Sequence, residues 1–254
     1  MQEEAIIKVR NLSAAYGGNV VLDGISFDVL RGQVFIILGG SGCGKSTLMK
    51  HMIGLYEPTG GQILINGVDI VTVGGRERLA LLRQIGVAYQ GGALFGSMSV
   101  FENVRLVLEE FTKLPSEAMD FIAQMKLKLV DLAEAGPKMP AELSGGMQKR
   151  AAIARAMALD PAIVFLDEPS AGLDPITSAD LDQLILNLAR SLNLTFVIVS
   201  HELPSIFSVA DYVIMLDAVS KKIIAQGHPK ELKTESDNAW VRQFFNRQPS
   251  EQVG

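Results

Sequence analysis

The segment GGSGCGKST, residues 39–47, carries groups that could bind a phosphate, and it directly follows the apolar run VFIIL. The pattern G-x-x-x-x-G-K-[ST] is matched by Gly39, Gly44, Lys45 and Ser46. The glycines let backbone N–H groups converge on phosphate oxygens at the N-terminus of a helix that we expect to begin near Lys45. The Lys45 ammonium can reach the β and γ phosphates, and the Ser46 hydroxyl can ligate Mg²⁺. The sequence therefore predicts a phosphate loop, and a purely structural turn is the disfavoured alternative.

This phosphate loop contains the only cysteine of the chain, Cys43, so no intrachain disulfide can form. A small apolar filler is the common role for such a residue. Its place beside a helix N-terminus and Lys45 nevertheless favours the thiolate. We therefore expect a maleimide to inactivate the protein and ATP to protect it.

A second glycine pair lies about a hundred residues later, in LSGGMQKRAAIARAMAL. Ser144 is a good N-cap and the alanine-rich run behind it favours a helix, so Gly145 and Gly146 would stand at another helix N-terminus able to hold an anion. On these residues alone, a capped structural helix explains the pattern equally well. The acidic strand end that follows favours a functional explanation.

Two carboxylates end the apolar run AIVFLDE, at the edge of an α/β sheet where ligands bind. Side chains alternate in direction along a strand, so we expect Asp167 to hold Mg²⁺ through water and Glu168 to polarise the attacking water. A third apolar run, TFVIV, is followed by His201. A lone histidine is usually structural, but three strand ends converge here, and we assign His201 to the γ phosphate.

The elements that position these groups follow from hydrophobic pattern. The runs VFIIL, AIVFL and TFVIV lack period-two alternation, as expected for strands buried on both faces of a parallel sheet. The first 30 residues instead predict alternating strands joined by a turn at residues 17–19, and Asn66-Gly67 predicts a hairpin. Residues 99–159 are mostly helix-like with prolines as breaks, which indicates a helical insertion.

Size and charge set limits on function. The 254 residues predict one domain with at most a small appendage, and a net charge of −5 without a basic block gives no reason to expect a nucleic-acid partner. No apolar run approaches the roughly 18 residues of a spanning helix, and the N-terminus lacks the pattern of a signal peptide. We expect a cytoplasmic chain whose membrane role runs through a partner.

In this order the motifs resemble those of the ATP-binding cassette (ABC) ATPases, and the resemblance covers nearly the whole chain. The phosphate loop corresponds to the Walker A motif, LSGGM (143–147) to the signature, and AIVFLDE (162–168) to Walker B. Residues 170–174 correspond to the D-loop and His201 to the switch histidine. The implied cofactors are ATP and Mg²⁺.

The resemblance assigns two further residues. Gln90 matches the Q-loop glutamine, which touches Mg²⁺ and relays the nucleotide state to a membrane subunit, and Tyr16 matches the aromatic that stacks on adenine. A packed tyrosine near a turn is the alternative for Tyr16. The implied ATP-binding residues are Tyr16, Gly39, Gly40, Ser41, Gly42, Cys43, Gly44, Lys45, Ser46 and Thr47. The implied magnesium ligands are Ser46, Gln90 and Asp167, and the implied catalytic residues are Glu168 and His201.

The chain departs from the family pattern twice. Gly40 replaces the usual proline, which should loosen the loop without removing a phosphate contact, and Met147 replaces the usual fifth residue of the signature, glutamine. The methionine indicates a subgroup. The segment GGALFGSMSVFENV, the LSGGM signature and DPIT (174–177) resemble the ATPases of bacterial Mce-type phospholipid-transport systems.

The family implies an α/β P-loop NTPase of the ABC type, with a mixed central sheet, an antiparallel β subdomain and an inserted helical subdomain. We place the ATPase domain at residues 1–237, its helical subdomain at about 91–160, and a C-terminal helix with a polar tail at 238–254. The aromatic and apolar residues of this helix, which recur at helical spacing, are Trp240, Val241, Phe244 and Phe245. They either lie on their own domain or dock on another protomer or an accessory subunit.

The resemblance also implies the partners. Ser144, Gly145 and Gly146 would complete the ATP site of a second copy, so a homodimer is expected under two integral-membrane permease subunits, peripheral on the inner membrane. A membrane-anchored lipid-binding Mce protein and a STAS-domain protein are further expected partners. The implied function is ATP-driven phospholipid transport between inner and outer membranes. The alternatives are an amino-acid or lipoprotein ABC system, or a soluble non-transport ABC ATPase.

Overall fold

The computed structural model describes residues 4–247. The strands of this part are β1 (Ala5–Tyr16), β2 (Asn19–Leu30), β3 (Val34–Gly39), β4 (Gly60–Ile65), β5 (Val68–Asp69), β6 (Ile85–Ala88), β7 (Ile163–Asp167), β8 (Thr195–Val199), β9 (Tyr212–Leu216) and β10 (Ile223–Gly227). Its α-helices are α1 (Lys45–Met52), α2 (Gly75–Leu82), α3 (Val100–Phe111), α4 (Ser116–Leu129), α5 (Gly145–Ala156), α6 (Pro175–Leu192), α7 (Leu203–Val209), α8 (Pro229–Glu235) and α9 (Ala239–Asn246).

The central sheet has the strand order β10-β9-β3-β8-β7-β6. Its pairs are parallel except for the antiparallel pair of β9 and β10. Every residue of β3 and β8 is buried, which confirms the prediction from their uninterrupted apolar runs. The carboxyl ends of β3, β8 and β7 therefore meet at one edge of the sheet, which we call the phosphate edge.

The second sheet is antiparallel, in the order β2-β1-β4-β5. Both residues of the turn between β4 and β5, Asn66 and Gly67, have positive φ of 48° and 79°, the conformation of a two-residue hairpin turn. The hairpin predicted from Asn66-Gly67 is therefore confirmed. Phe27 of this sheet stacks on Phe35 of β3 with ring centroids 5.2 Å apart, so the two sheets share one apolar core.

Helices α3, α4 and α5 lie between β6 and β7 in the chain, as expected for an inserted helical segment. A capping box begins α3: the Ser99 N–H donates to Glu102 Oε2 (2.7 Å), and the Glu102 N–H donates to Ser99 Oγ (3.2 Å). The helices pack through buried residues such as Leu108, Leu127 and Ala151. The limits 91–160 for a helical subdomain remain our prediction.

The C-terminal stripe divides between core and surface. Val241 and Phe245 are buried in the core of their own chain, and the Phe245 ring lies 5.8 Å from that of Phe207 on α7. Trp240 keeps 39% of its surface exposed, so docking on a partner stays a prediction for that side chain. The polar tail from residue 248 lies outside the described residues. Within residues 4–247, no helix combines the length and apolar character needed to cross a bilayer.

Candidate functional site

The phosphate loop connects β3 to α1, which begins at Lys45 as predicted. A Cβ placed at Gly39 would lie 2.4 Å from Cys43 Sγ and 2.5 Å from the Leu216 carbonyl oxygen, so only glycine fits the start of the loop. Gly44 has a φ of 99°, the left-handed conformation that lets the chain enter α1. The Lys45 ammonium folds back over the loop and donates to the carbonyl oxygens of Gly39 (2.9 Å) and Gly40 (3.0 Å).

The surface of the loop is accessible at Ser41 and Gly42, whereas Thr47 is half-buried on α1. The C-terminal helix approaches the loop from one side, since a Cβ placed at Gly40 would lie 3.9 Å from Cζ2 of Trp240. The position where the family has proline is therefore neighboured by an aromatic ring of α9.

The prediction that the Cys43 thiol favours the thiolate needs correction. The Cys43 side chain is buried, at 1% exposure, and burial raises the pKa of the thiol despite the opposing effect of Lys45. The expected shift towards thiolate is wrong, because the loss of solvation outweighs the nearby positive charge. The predicted reaction with a maleimide loses its chemical basis, and the filler role fits the buried position.

Asp167 ends β7 and faces the start of α1. Its Oδ1 accepts a hydrogen bond from Ser46 Oγ at 3.4 Å. Burial raises the pKa of Asp167, while Ser46 and the lysines Lys45, Lys50 and Lys149 act in the opposite direction. A hydroxyl and a carboxylate oxygen side by side fit Mg²⁺, which takes few protein ligands and completes its shell with water and phosphate oxygens. Ser46 and Asp167 provide too few ligands for an all-protein metal cage. Residues 4–247 contain no cluster of three or more His, Cys, Asp or Glu side chains that could hold a metal ion.

Gln90 lies on the surface just after β6. Its backbone carbonyl accepts a hydrogen bond from the Lys149 ammonium. This contact leaves the magnesium role of the Gln90 side chain as a prediction.

Glu168 follows β7 and is held by the residue predicted to sense the γ phosphate. His201 Nδ1 lies 2.8 Å from Glu168 Oε1, with 60% of the imidazole side chain and 13% of the Glu168 side chain exposed. The second oxygen, Oε2, is buried and has no hydrogen-bond partner within the described residues. A buried carboxylate oxygen in this state calls for a donor such as a water molecule, which is what a general base needs.

The reason given for the separate roles of Asp167 and Glu168 needs correction. Glu168 is not a strand residue: it lies beyond the end of β7 with a left-handed φ of 47°. Its N–H donates to the Val199 carbonyl of β8 at 2.9 Å, which fixes this turn of the chain. Glu168 does not belong to the same strand as Asp167, so strand alternation cannot assign the two carboxylates their separate roles.

Tyr16 ends β1 and lies against the last turn of α1. Its hydroxyl is 3.0 Å from His51 Nε2, and the two rings stack with centroids 6.3 Å apart. Tyr56 packs edge-on at 6.1 Å, and burial lowers the pKa of His51. Tyr16 keeps 42% exposure, so the side chain is accessible to a base that could stack on it. Sequence reasoning missed His51 and Tyr56, and the available signal was that His51 lies on α1 and Tyr56 follows shortly after it.

The signature segment leads into α5. Ser144 caps α5 as predicted, accepting from the Met147 N–H at 3.3 Å, and Ser144 and Gly145 are exposed. A Cβ placed at Gly146 would lie 2.4 Å from Cγ2 of Thr177. The neighbours of this glycine pair thus belong to the segment that begins α6, and the phosphate loop is not among them.

These motifs lie within a recognisable sequence family. A family model described as ABC transporter matches residues 22–171. The chain belongs to the ABC transporter family. It is an ATP-binding, ATP-hydrolysing member, and its α/β fold with a mixed and an antiparallel sheet is confirmed.

Curated relatives match nearly the whole chain. The intermembrane phospholipid transport system ATP-binding protein MlaF of Haemophilus influenzae is 40% identical over 240 residues, 94% of this chain and 90% of that protein. MlaF of Escherichia coli K12 is 40% identical over 241 residues, covering 95% and 88%. The Mycobacterium leprae protein mkl, described as a probable ribonucleotide transport ATP-binding protein, is also 40% identical, covering 94% and 68%.

Solved structures show the same architecture. CbiO1 of Clostridium perfringens, part of an ABC transporter complex, superposes with a TM-score of 0.84 at 32% identity, covering 92% of each chain. The ATP-binding cassette MJ0796, solved as a dimer in a post-hydrolysis state with ADP and Pi, gives a TM-score of 0.78 at 27% identity, covering 87% of this chain and 98% of that one.

Proposed function

We propose that this protein is the ATPase subunit of a transporter that moves phospholipid between the inner and outer membranes. The observation that carries the proposal is the full-length similarity to two proteins named for intermembrane phospholipid transport. The segment GGALFGSMSVFENV and the LSGGM signature support it. The chain would act on the cytoplasmic side, peripheral on the inner membrane through a permease.

Within one chain, the phosphate edge would perform hydrolysis. The phosphate loop and Lys45 would hold the ATP phosphates, and Ser46, Asp167 and Gln90 would hold Mg²⁺, which supplies charge compensation for the phosphates. Glu168 would take a proton from the attacking water through Oε2, while His201 holds Oε1. His201, mostly exposed, would contact the γ phosphate.

The exposed signature supports a homodimer. Ser144, Gly145 and Gly146 stand at a helix N-terminus, where N–H groups and the helix dipole favour an anion. Within the chain, the neighbours of the two glycines are Leu173 and Thr177 and not the phosphate loop. The γ phosphate that the signature binds would therefore be held by the phosphate loop of a second copy. The dimeric form of the cassette MJ0796 with ADP and Pi supports this arrangement.

An apolar groove supports docking of the permease. It has a volume of about 260 Å³ and lies between α2, β6, α3 and the end of α5. Leu79 and Phe111 on its rim are 54% and 45% exposed, and Arg155 lines it. We propose that an apolar cytoplasmic element of the permease binds here, next to the segment that carries Gln90. A membrane-anchored lipid-binding Mce protein and a STAS-domain protein would complete the transporter.

Ribonucleotide transport is the second candidate, because mkl is also 40% identical and also matches 94% of this chain. Purifying the tagged chain with its partners from detergent-solubilised membranes and reconstituting the complex separates the two. The phospholipid proposal predicts co-purified phospholipid and ATPase activity that varies with phospholipid composition. Activity stimulated by ribonucleotides and indifferent to lipid would favour the second candidate.

The composite site is tested by mixing two inactive variants, Lys45→Ala and Ser144→Arg, co-expressed with different tags. Each alone should fall below about 1% of wild-type activity, because each lacks one half of both sites. A mixed dimer holds one complete site, so random pairing should restore roughly a quarter of wild-type activity. No recovery in purified mixed dimers would contradict a site shared between chains.

A further inference from the structure

Lys149 lies on α5, five residues after the cap Ser144, and its side chain is half-buried. Its ammonium donates to the backbone carbonyl of Gln90 and approaches the backbone carbonyl of Glu168 at 3.5 Å. One side chain therefore joins the signature helix, the segment that carries Gln90, and the turn that carries the candidate general base. The sequence analysis assigned no role to this residue.

The surroundings of this ammonium are acidic. Burial lowers the pKa of Lys149, and the nearby carboxylates of Asp167, Glu168 and Glu202 act in the opposite direction. A lysine on a solvated helix face would hold its ammonium in water, where attraction to neighbouring carboxylates contributes little to stability. This half-buried cation instead contributes positive charge beside the carboxylates of the phosphate edge.

A second cation of α5 holds the same segment. Arg155 donates from Nη1 to the Ala93 carbonyl (2.6 Å) and from Nη2 to the Gly92 carbonyl (3.2 Å). Residues 90–93 are thus attached to α5 at both ends, by Lys149 and by Arg155. Of these two side chains, Lys149 is the one that continues to Glu168.

The Glu168 backbone needs such support. A left-handed conformation in a residue other than glycine costs about 1 to 2 kcal/mol, and it persists where neighbouring contacts hold it. The Glu168 carbonyl accepts from the Ala171 N–H at 3.2 Å and is approached by the Lys149 ammonium. Loss of the ammonium would weaken one of the contacts that aim Oε2.

We propose that Lys149 is a positioning residue for ATP hydrolysis. By joining the carbonyls of Gln90 and Glu168, it fixes the position of the Glu168 carboxylate relative to α5. The proposal rests on the ATPase function above and adds a residue that acts through Glu168. Movement of α5 would then displace the general base and the Gln90 segment together.

The test compares Lys149→Met, Lys149→Arg and a matched control, Arg150→Met, in the full-length protein. Arg150 is the next residue on α5, and it pairs instead with the exposed Asp131 at 3.0 Å. Lys149→Met should lower kcat about thirtyfold or more, since a small misplacement of a reacting group costs up to about a hundredfold, with the Kd for Mg·ATP within about twofold of wild type. Lys149→Arg should keep at least about a third of kcat, and Arg150→Met should match wild type. Lys149→Gln replaces the methionine variant if that one does not fold.

A double-mutant comparison separates positioning from a structural role. Because Lys149 acts through the Glu168 carboxylate, Lys149→Met should change the residual single-turnover rate of Glu168→Gln by less than about threefold. The proposal is overturned if Lys149→Met equals Arg150→Met, if the arginine variant gives no rescue, or if the loss repeats in full on Glu168→Gln. A wild-type chain without ATPase activity would instead refute the proposed function.

Discussion

The phosphate edge and the signature segment are both built around a helix N-terminus, yet they differ in how much of their surroundings the chain supplies. At the phosphate edge, Lys45, Asp167 and Glu168 each make a contact within the same chain, and the strands beneath them are buried. At the signature, Ser144 and Gly145 face solvent. The contrast fits the proposal that one region supplies the catalytic half of the site and the other supplies a surface for a second copy.

Replacing Glu168, the proposed general base, should give the largest effect. Glu168→Gln removes the oxygen that accepts the proton and should lower kcat about a hundredfold to ten-thousandfold while leaving ATP binding intact. Because hydrolysis no longer opens the dimer, the variant should accumulate as a closed dimer in ATP, measurable by size-exclusion chromatography with light scattering. A variant that hydrolyses normally or stays monomeric in excess ATP would remove Glu168 from this role.

A buried acid on α6 should give the next effect, on stability alone. Asp182 on α6 is 6% exposed, and burial, with a smaller contribution from Glu202, raises its pKa to about 6, against a partial opposing effect of Ser205. The folded state therefore binds this proton more tightly than the unfolded chain, and stability falls as pH rises from about 4 to about 6. The full cost is on the order of 3 kcal/mol, about 1.4 kcal/mol for each pKa unit.

Asp182→Asn removes this titration. Its gain in unfolding free energy over wild type should grow by roughly 1.5 kcal/mol between pH 5 and pH 8, as measured by urea denaturation. Ser144→Ala, on the exposed signature, is the control and should leave the pH dependence unchanged. A pH-independent difference between Asp182→Asn and wild type would refute the raised pKa.

The packing of the signature glycine should give a change in stability of similar size. Gly146→Ala would bring a methyl group against Thr177, whose hydroxyl donates to Asp174 at 2.5 Å and which therefore cannot rotate freely. Overpacking of this kind costs about 2 kcal/mol of unfolding free energy. Thr177→Ser keeps the hydroxyl and removes the clashing carbon, so Gly146→Ala/Thr177→Ser should recover most of the loss. Equal stability of the single and double variants would show that the contact is unimportant.

Tyr16, the proposed base-stacking residue, should give the smallest effect. Tyr16→Ala should raise the KM for ATP about fivefold and leave kcat nearly unchanged, because an aromatic stack contributes about 1 kcal/mol and lies away from the reacting phosphate. Tyr16→Phe keeps the ring and loses only the hydroxyl contact with His51, so its KM should stay near wild type. A large loss of kcat in the alanine variant would place Tyr16 in the packing of α1 instead.

Short-range chemistry in the sequence predicted much of this architecture. The start of α1, the Ser144 cap and the buried parallel strands all depend on residues next to each other in the chain. The conformation of Glu168 and the pKa of Cys43 were predicted wrongly, because they depend on β8 and on burial by distant elements. The positions of charged residues in the sequence do not predict the conformation of Glu168 or the pKa of Cys43.

The acid on α6 was available to sequence reasoning and was overlooked. Ser178, Asp182 and Ile185 share the buried face of α6 with leucines at helical spacing, so a carboxylate interrupts an apolar stripe. Lys149 could not have been found in this way. Its contacts join segments separated by 59 and 19 residues, and only the assembled fold brings them together.

The position of β3 in the sheet has a consequence for biosynthesis. β3 ends near residue 39, but its neighbours in the sheet are β8 and β9, at residues 195–199 and 212–216. On the ribosome, the strand that leads into the phosphate loop must wait for most of the chain before it can pair, and long-range pairing of this kind is slow. Chains that end before β8 lack both neighbours of β3 in the sheet, so we expect the phosphate loop to be fixed in place late in synthesis.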